Sequence, residues 1–420
     1  MLAQRRKKNM RLYVFARRHI RGGIVYDLLI RNATLIDPAQ HIHARKDVAF
    51  AGGRVALVAE GIAPDEAREV LDGAGRLLTP GWVDLHVHVF EGVSYLGIPV
   101  DPNCIAKGVT TAVDAGTSGA DTFAGFRKYV IEASATRLYA QLNIASPGML
   151  AMEIGELEDI RWADVGKAVQ TIEANRDLIL GVKVRLSRDT IGSPASGIRP
   201  LHLAREAADA AGVPIMVHPQ EAWTGHTDDI LAVLKEHDIL THCFNDSVIG
   251  GILDEHGRVH ASVLDAAARG VIFDVGHGRG SFTWRVAETA LAQDFAPQTI
   301  SSDLHTLNVN GPVYDLATTA SKFLQLGMSL EDVIAKVTSV PARAIGKEDI
   351  GTLRAGAWGD ATLFDLERGG RFTFHDAHLE SRTGSERLTP VVVVAAGKVY
   401  ADYRNSGEAP GATHATHAHA

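Results

Sequence analysis

Between residues 80 and 347 the chain alternates short apolar runs of strand type with amphipathic stretches of helical length, and it does so eight times. The runs are "WVDLHVH" (82–88), "VTTAVDAG" (109–116), "LYAQLNI" (138–144), "ILGVKVRL" (179–186), "VPIMVH" (213–218), "DILTHC" (238–243), "VIFDVG" (271–276) and "QTISSD" (298–303). Strands separated by helices must run parallel, and eight such units in one domain close into a (β/α)8 TIM barrel. An open doubly wound sheet is the competing arrangement. It normally places a glycine-rich phosphate turn after its first strand, whereas the first run here continues into "VFEGVSYLG".

The flanks have a different texture. Residues 26–79 read as short apolar segments broken by glycine and aspartate ("YDLLIRNATLID", "DVAFAGGRVALVAE"), and residues 348–404 repeat it ("GTLRAGAWGDATLFDLE", "TPVVVVAAGKVYADY"). Both suit antiparallel strands, so the two ends are expected to meet in one small β-sandwich beside the barrel. The expected organisation is therefore a basic leader (1–25), an N-terminal sandwich segment (26–79), the barrel (80–347), a C-terminal sandwich segment (348–404) and a His-containing tail (405–420). Eight Lys or Arg residues and no acid fall in the first 24 positions. The leader's apolar stretch "LYVFA" is shorter than a signal-peptide core, so the leader is expected to be disordered, with Met10 as an alternative start.

Composition narrows the function classes. The chain is 46% hydrophobic and 22% charged, as an ordinary globular protein is. Its formal charge of -8, with a basic leader, leaves an acidic body unsuited to nucleic acid. No run approaches the ~18 apolar residues of a membrane span. Cys104 and Cys243 offer no disulfide framework, which fits a cytoplasmic location. A homo-oligomer is compatible with such a barrel, although no interface pattern is legible.

Position is the informative feature of the polar residues. His86, His88, Lys183, His218, His242 and Asp303 all fall at or near the C-terminal ends of the expected strands, where barrel active sites form. His86 and His88 leave one face of a strand, about 7 Å apart at Cα, a spacing that suits chelation. Each residue also has a plain reading: two histidines of a half-buried strand, a Lys183 paired with a carboxylate, a core His242, an Asp303 capping a helix. All of these would have to hold together to leave the cluster without a role.

The ordered set "VDLHVH", "KGVTTAVDAG", "GVKVR", "VHPQE", "THCFN", "DVGHG" and "SSDLH" resembles the amidohydrolase superfamily over residues 26–400. "THCFN" (241–245), "DVGHGRGSF" (274–282) and "GPVYDLATT" (311–319) are similar to its dihydroorotase-like, deacetylase branch. The resemblance implies a centre of two divalent metal ions, with zinc expected. It would assign His86, His88 and Asp303 to one ion, His218 and His242 to the other, and a carbamylated Lys183 and a hydroxide as bridges. Neutral imidazole and carboxylate suit zinc, while an ammonium cannot ligate until carbamylation makes it anionic. Asp303 would then serve as general acid/base.

The implied substrate is a small anionic molecule, because such a centre carries a small positive charge. Arg185 shares a strand face with Lys183 and could bind a carboxylate through its guanidinium fork, or it could be consumed by a salt bridge within the mouth. Asn245, His277 and Arg279 are comparable candidates. Classical dihydroorotases resemble "HxHxR"; here Phe90 stands in the arginine position, where it would form an apolar wall. The expected activity is deacetylation of acetylated α-hydroxy acids or N-acetyl amino acids. Cyclic amide hydrolysis (dihydroorotase- or hydantoinase-like) is the rival, and a non-catalytic scaffold the remote one.

Overall fold

The computed structural model describes residues 25–404 apart from Gly192; the leader up to Ile24 and the tail from residue 405 lie outside the described residues. Five strands precede the barrel: β1 (Tyr26–Asp37), β2 (Ile42–Ala51), β3 (Arg54–Ala59), β4 (Ala67–Asp72) and β5 (Leu77–Pro80). Seven follow with helices between them: β6 (Trp82–Val87), β7 (Val109–Gly119), β8 (Arg137–Asn143), β9 (Ile179–Arg185), β10 (Ile215–His218), β11 (Ile239–Leu240) and β12 (Ile272–Phe273). Three close the chain: β13 (Ala361–His375), β14 (Ser381–Ala395) and β15 (Lys398–Asp402).

Strands β6 to β12 form one parallel sheet in sequence order. Every residue of β6 and β7 is buried, as expected of strands covered on both faces. The eighth expected run, 298–303, is not a continuous strand. It makes isolated parallel bridges, Thr299 to Asp274 on one side and Leu304 to Val87 on the other, and so links the two edges of a TIM-like barrel. The outer helices follow local rules. Arg199–Ala211 starts with Pro200 in its first turn, stops at Gly212 in the left-handed region, and buries Leu201, Ala204, Ala208 and Ala211 along one stripe.

Both chain ends share one eight-stranded sheet ordered β15-β14-β13-β5-β1-β2-β3, with β4 added on β1. The two terminal segments thus meet, as expected, in a single continuous sheet. Gly81 alone separates β5 of this sheet from β6 of the barrel, and Trp82 stacks on Phe364 of β13 with ring centroids 4.5 Å apart. Truncating Trp82 to alanine would cost roughly 3–5 kcal/mol. A second tie is the helix Leu316–Gln325, whose Ser321 Oγ accepts from Leu388 N of β14 at 3.0 Å. No helix among the described residues is long and apolar enough to cross a membrane.

Candidate metal centre

A cavity of about 500 Å³ opens at the C-terminal ends of the barrel strands. His86, His88, Lys183, His218, His242 and Asp303 all line it, together with Arg185 and Arg279. Donor atoms of His86, His242 and Asp303 lie within 4.8 Å of one another. The rings of His218 and His242 are 4.3 Å apart, those of His86 and His242 5.0 Å, and those of His86 and His88 5.3 Å.

Hydrogen bonds behind the rings fix which nitrogen faces the cavity. His86 Nδ1 lies 2.9 Å from Thr241 Oγ1, whose own proton goes to Asp274 Oδ2 at 2.8 Å. The hydroxyl must therefore accept from Nδ1, leaving the lone pair of His86 on Nε2. His88 repeats the arrangement through Thr117 (2.9 Å) and Asp114 (2.6 Å). His242 Nδ1 donates to Gly276 O at 2.6 Å. Such carboxylate-backed or carbonyl-backed imidazoles are the usual support for metal ligands.

Burial keeps these rings neutral. It lowers His88 to a pKa of about 3 and His242 to about 4, and it holds His86 and His218 well below the ordinary histidine value, with the neighbouring cations adding to the effect for most of them. Asp303 Oδ1 lies 3.2 Å from His86 Nε2 and 3.0 Å from His88 Nε2. These contacts are not ion pairs, since both rings are uncharged and both present lone pairs. Asp303 Oδ1 is buried and has no hydrogen-bond donor among the described residues. Three lone-pair atoms facing one another without a proton repel, and a cation among them resolves the conflict. The donor set therefore fits a divalent metal ion.

Lys183 adds a second unsatisfied group. It is fully buried, and its Nζ meets only His86 Nε2 at 3.4 Å and Met216 Sδ at 3.5 Å; among the described residues no carboxylate pairs with it. Burial lowers its pKa to about 8. Room for the side chain depends on Gly116, at φ +87°, where a Cβ would sit 2.5 Å from Lys183 Cγ. The backbone is bent out of the ordinary at two ligand positions as well: His242 (φ 64°) and Asp303 (φ 49°) occupy the left-handed region that non-glycine residues avoid. Asp303 does not cap a helix; the next helix begins at Leu316 and is capped by Asp315.

The expected substrate contacts divide. Arg279 is exposed at the cavity wall, donates to Ala377 O at 3.2 Å, and has no carboxylate partner among the described residues. Arg185 lines the cavity but is already engaged, by a short ion pair with Glu156 and by Tyr95 Oη at 3.1 Å. Three residues do not line it. Phe90 is turned into the core against Phe126 (ring centroids 4.9 Å), so it is no wall of the cavity. Asn245 spends its amide on His242 O, Gly250 O and Ser247 N. His277 points to the buried Lys322, at 2.6 Å. Sequence patterns did not single out Tyr95, Glu156 or His305, which sit on long loops, although His305 lies inside "SSDLH" and Tyr95 inside "VFEGVSYLG".

Fold and donor set together describe a TIM-like barrel with a His/Asp group at the strand ends whose chemistry fits a metal ion. The chain belongs to the amidohydrolase family, whose model matches residues 77–400, and that family is metal-dependent. A deacetylase of Brucella anthropi is 37% identical over 350 residues, covering 83% of this chain and 86% of the relative. A solved structure described as an adenine deaminase superposes with a TM-score of 0.83 at 34% identity, covering 90% of this chain and 100% of that one. Another, described as a dihydroorotase, gives 0.79 at 33%, covering 89% and 97%.

Proposed function

We propose that the protein is a deacetylase acting on small carboxylate-bearing esters or amides, acetylated α-hydroxy acids or N-acetyl amino acids, at a centre of two divalent metal ions. The observation that carries this reading is the buried, donorless Asp303 Oδ1 facing two imidazole lone pairs. His86, His88 and Asp303 would hold one ion, His218 and His242 the other, and carbamylated Lys183 would bridge them; zinc is the expected metal. When bound, such ions supply a water acidic enough to attack at neutral pH and polarise the acyl carbonyl. Asp303 would take the proton of the attacking water and return it to the leaving oxygen or nitrogen. Arg279, with no acidic partner among the described residues, would hold the substrate carboxylate; Arg185, neutralised by Glu156, shapes the wall instead.

The same reading takes residues 80–347 as a closed (β/α)8 barrel and the terminal segments 26–79 and 348–404 as its small sandwich, in a cytoplasmic protein. The similarity to a deacetylase at 37% identity supports acyl transfer to water. Ring opening of a cyclic amide is the second reading, favoured by the structure described as a dihydroorotase.

The test is a panel of acetylated α-hydroxy acids and N-acetyl amino acids of both hands, dihydroorotate and hydantoins, assayed with metal-loaded protein and with Lys183→Ala as blank. Acid release confined to acetylated carboxylates is expected. Turnover confined to the rings would replace this reading by the second.

A further inference from the structure

Lys322 is the other lysine that the described structure buries completely, and the chemistry above makes no use of it. It sits on the helix Leu316–Gln325, between barrel and terminal sheet. Its Nζ meets three acceptors from three separate segments: His277 Nε2 at 2.6 Å, Pro312 O at 3.0 Å and His375 O at 2.6 Å. Three acceptors match the three protons of an ammonium. Among the described residues no carboxylate touches it; Asp376 and Asp315 act on it only from further off.

Two of the three segments run into the cavity lining, and the third is tied to it through Arg279. His277 follows Gly276, whose carbonyl orients His242, and precedes Gly278, where a Cβ would stand 2.5 Å from Asp303 Oδ2. Pro312 ends the loop that carries His305 and Leu307, both in the cavity lining. His375 ends β13, beside Ala377, whose carbonyl holds Arg279. The His277 ring is further fixed by Nδ1 against Gly278 O at 2.9 Å and by stacking on Phe282 at 4.6 Å. Its Nε2 is consequently an acceptor, and Lys322 is the donor that satisfies it.

We infer that Lys322 is a positioning residue for the metal centre: through His277 it fixes the Gly276–Gly278 turn against which His242 and Asp303 are set, and through Pro312 and His375 it locks the adjoining loop and the terminal sheet to that turn. The inference rests on the metal-centre reading above. It makes the terminal sheet a working part of the site, because one of the three bonds comes from β13.

The test uses Co2+, whose visible absorption reports ligand geometry without any substrate. Metal-free wild type, Lys322→Met, His277→Phe and His277→Gln are titrated with Co2+, and folding is checked by circular dichroism. Lys322→Met and His277→Phe should each weaken Co2+ binding by about 10–100-fold, the range for lost support of ligands, and change the spectrum. The double variant should be little weaker than Lys322→Met alone, since that single already removes the bond to His277. His277→Gln, which restores an acceptor near the Nε2 position, should recover most of the affinity.

A purely structural role predicts lower melting temperatures with unchanged Co2+ affinity and spectrum in the folded variants, and that result would overturn the inference, as would strictly additive losses. Should Lys322→Met fail to fold, the two His277 variants decide alone: equal, wild-type affinity in both rejects it. Wild-type protein that takes up no Co2+ would instead reject the metal reading itself, and this inference with it.

Discussion

Lys183 and Lys322 are both fully buried, and burial is the main reason both lose basicity, to about 8 and about 7. Their surroundings differ. Lys322 has three strong acceptors within 3.0 Å, whereas Lys183 has one imidazole nitrogen and one thioether sulfur at 3.4 and 3.5 Å. A buried amine left so poorly partnered costs stability. Its neighbours repeat the pattern, with Asp303 Oδ1 donorless and three imidazoles turned so that their lone pairs face inward. Incomplete satisfaction marks the place where something binds; complete satisfaction marks the frame that supports it.

The largest effect that would sharpen this contrast is expected at Lys183. Lys183→Ala should lose metal and turnover together, by about 10³-fold or more in rate, since the ions contribute several kcal/mol to the transition state. Added acetate or propionate should restore some of both, which parallel metal analysis and assay would show. Asp303→Asn comes next, with turnover down by about 10²–10⁴-fold and only a small change in melting temperature; normal turnover would remove Asp303 from proton transfer. Thr241→Val and Thr117→Val, which leave His86 or His88 without its acceptor, should each weaken metal binding by about 10–100-fold in a chelator competition.

The smallest effect separates the lysines by pH. The unfolded value of 10.5 lies above both folded values, so between about 7 and 10.5 the unfolded chain binds more protons and stability rises with pH. In metal-free protein, Lys322→Met should flatten that rise from pH 7 upward. Lys183→Met should flatten a narrower span beginning near pH 8. Melting temperatures across this range measure it, and equal slopes in all three proteins would break the comparison.

The six candidate ligands were legible in the sequence because barrel topology converts a position along a strand into a position in space: each lies at the end of an apolar run, and all such ends converge. Strands β11 and β12 shrink to two residues each without moving His242 or the 274–278 turn. Side-chain direction beyond the strand ends was not legible. Phe90 follows "LHVH" by two positions, yet the loop after β6 turns it inward onto Phe126. His277 belongs to a recognisable motif but answers to Lys322, 45 residues away. For Arg185 the sequence leaves two outcomes open, and the choice depends on Glu156, which no local spacing connects to it. The β-rich texture of the two ends showed that they were strands, but not that β5 and β13 would pair directly into one sheet.

The measurement that tests the central claim most directly is the divalent-metal content of the purified protein beside that of Lys183→Ala. The account predicts two ions per chain in the wild type and loss of both with the variant, partly reversed by a short carboxylate. Full two-ion occupancy in Lys183→Ala, or a wild type that binds no divalent metal, would contradict it.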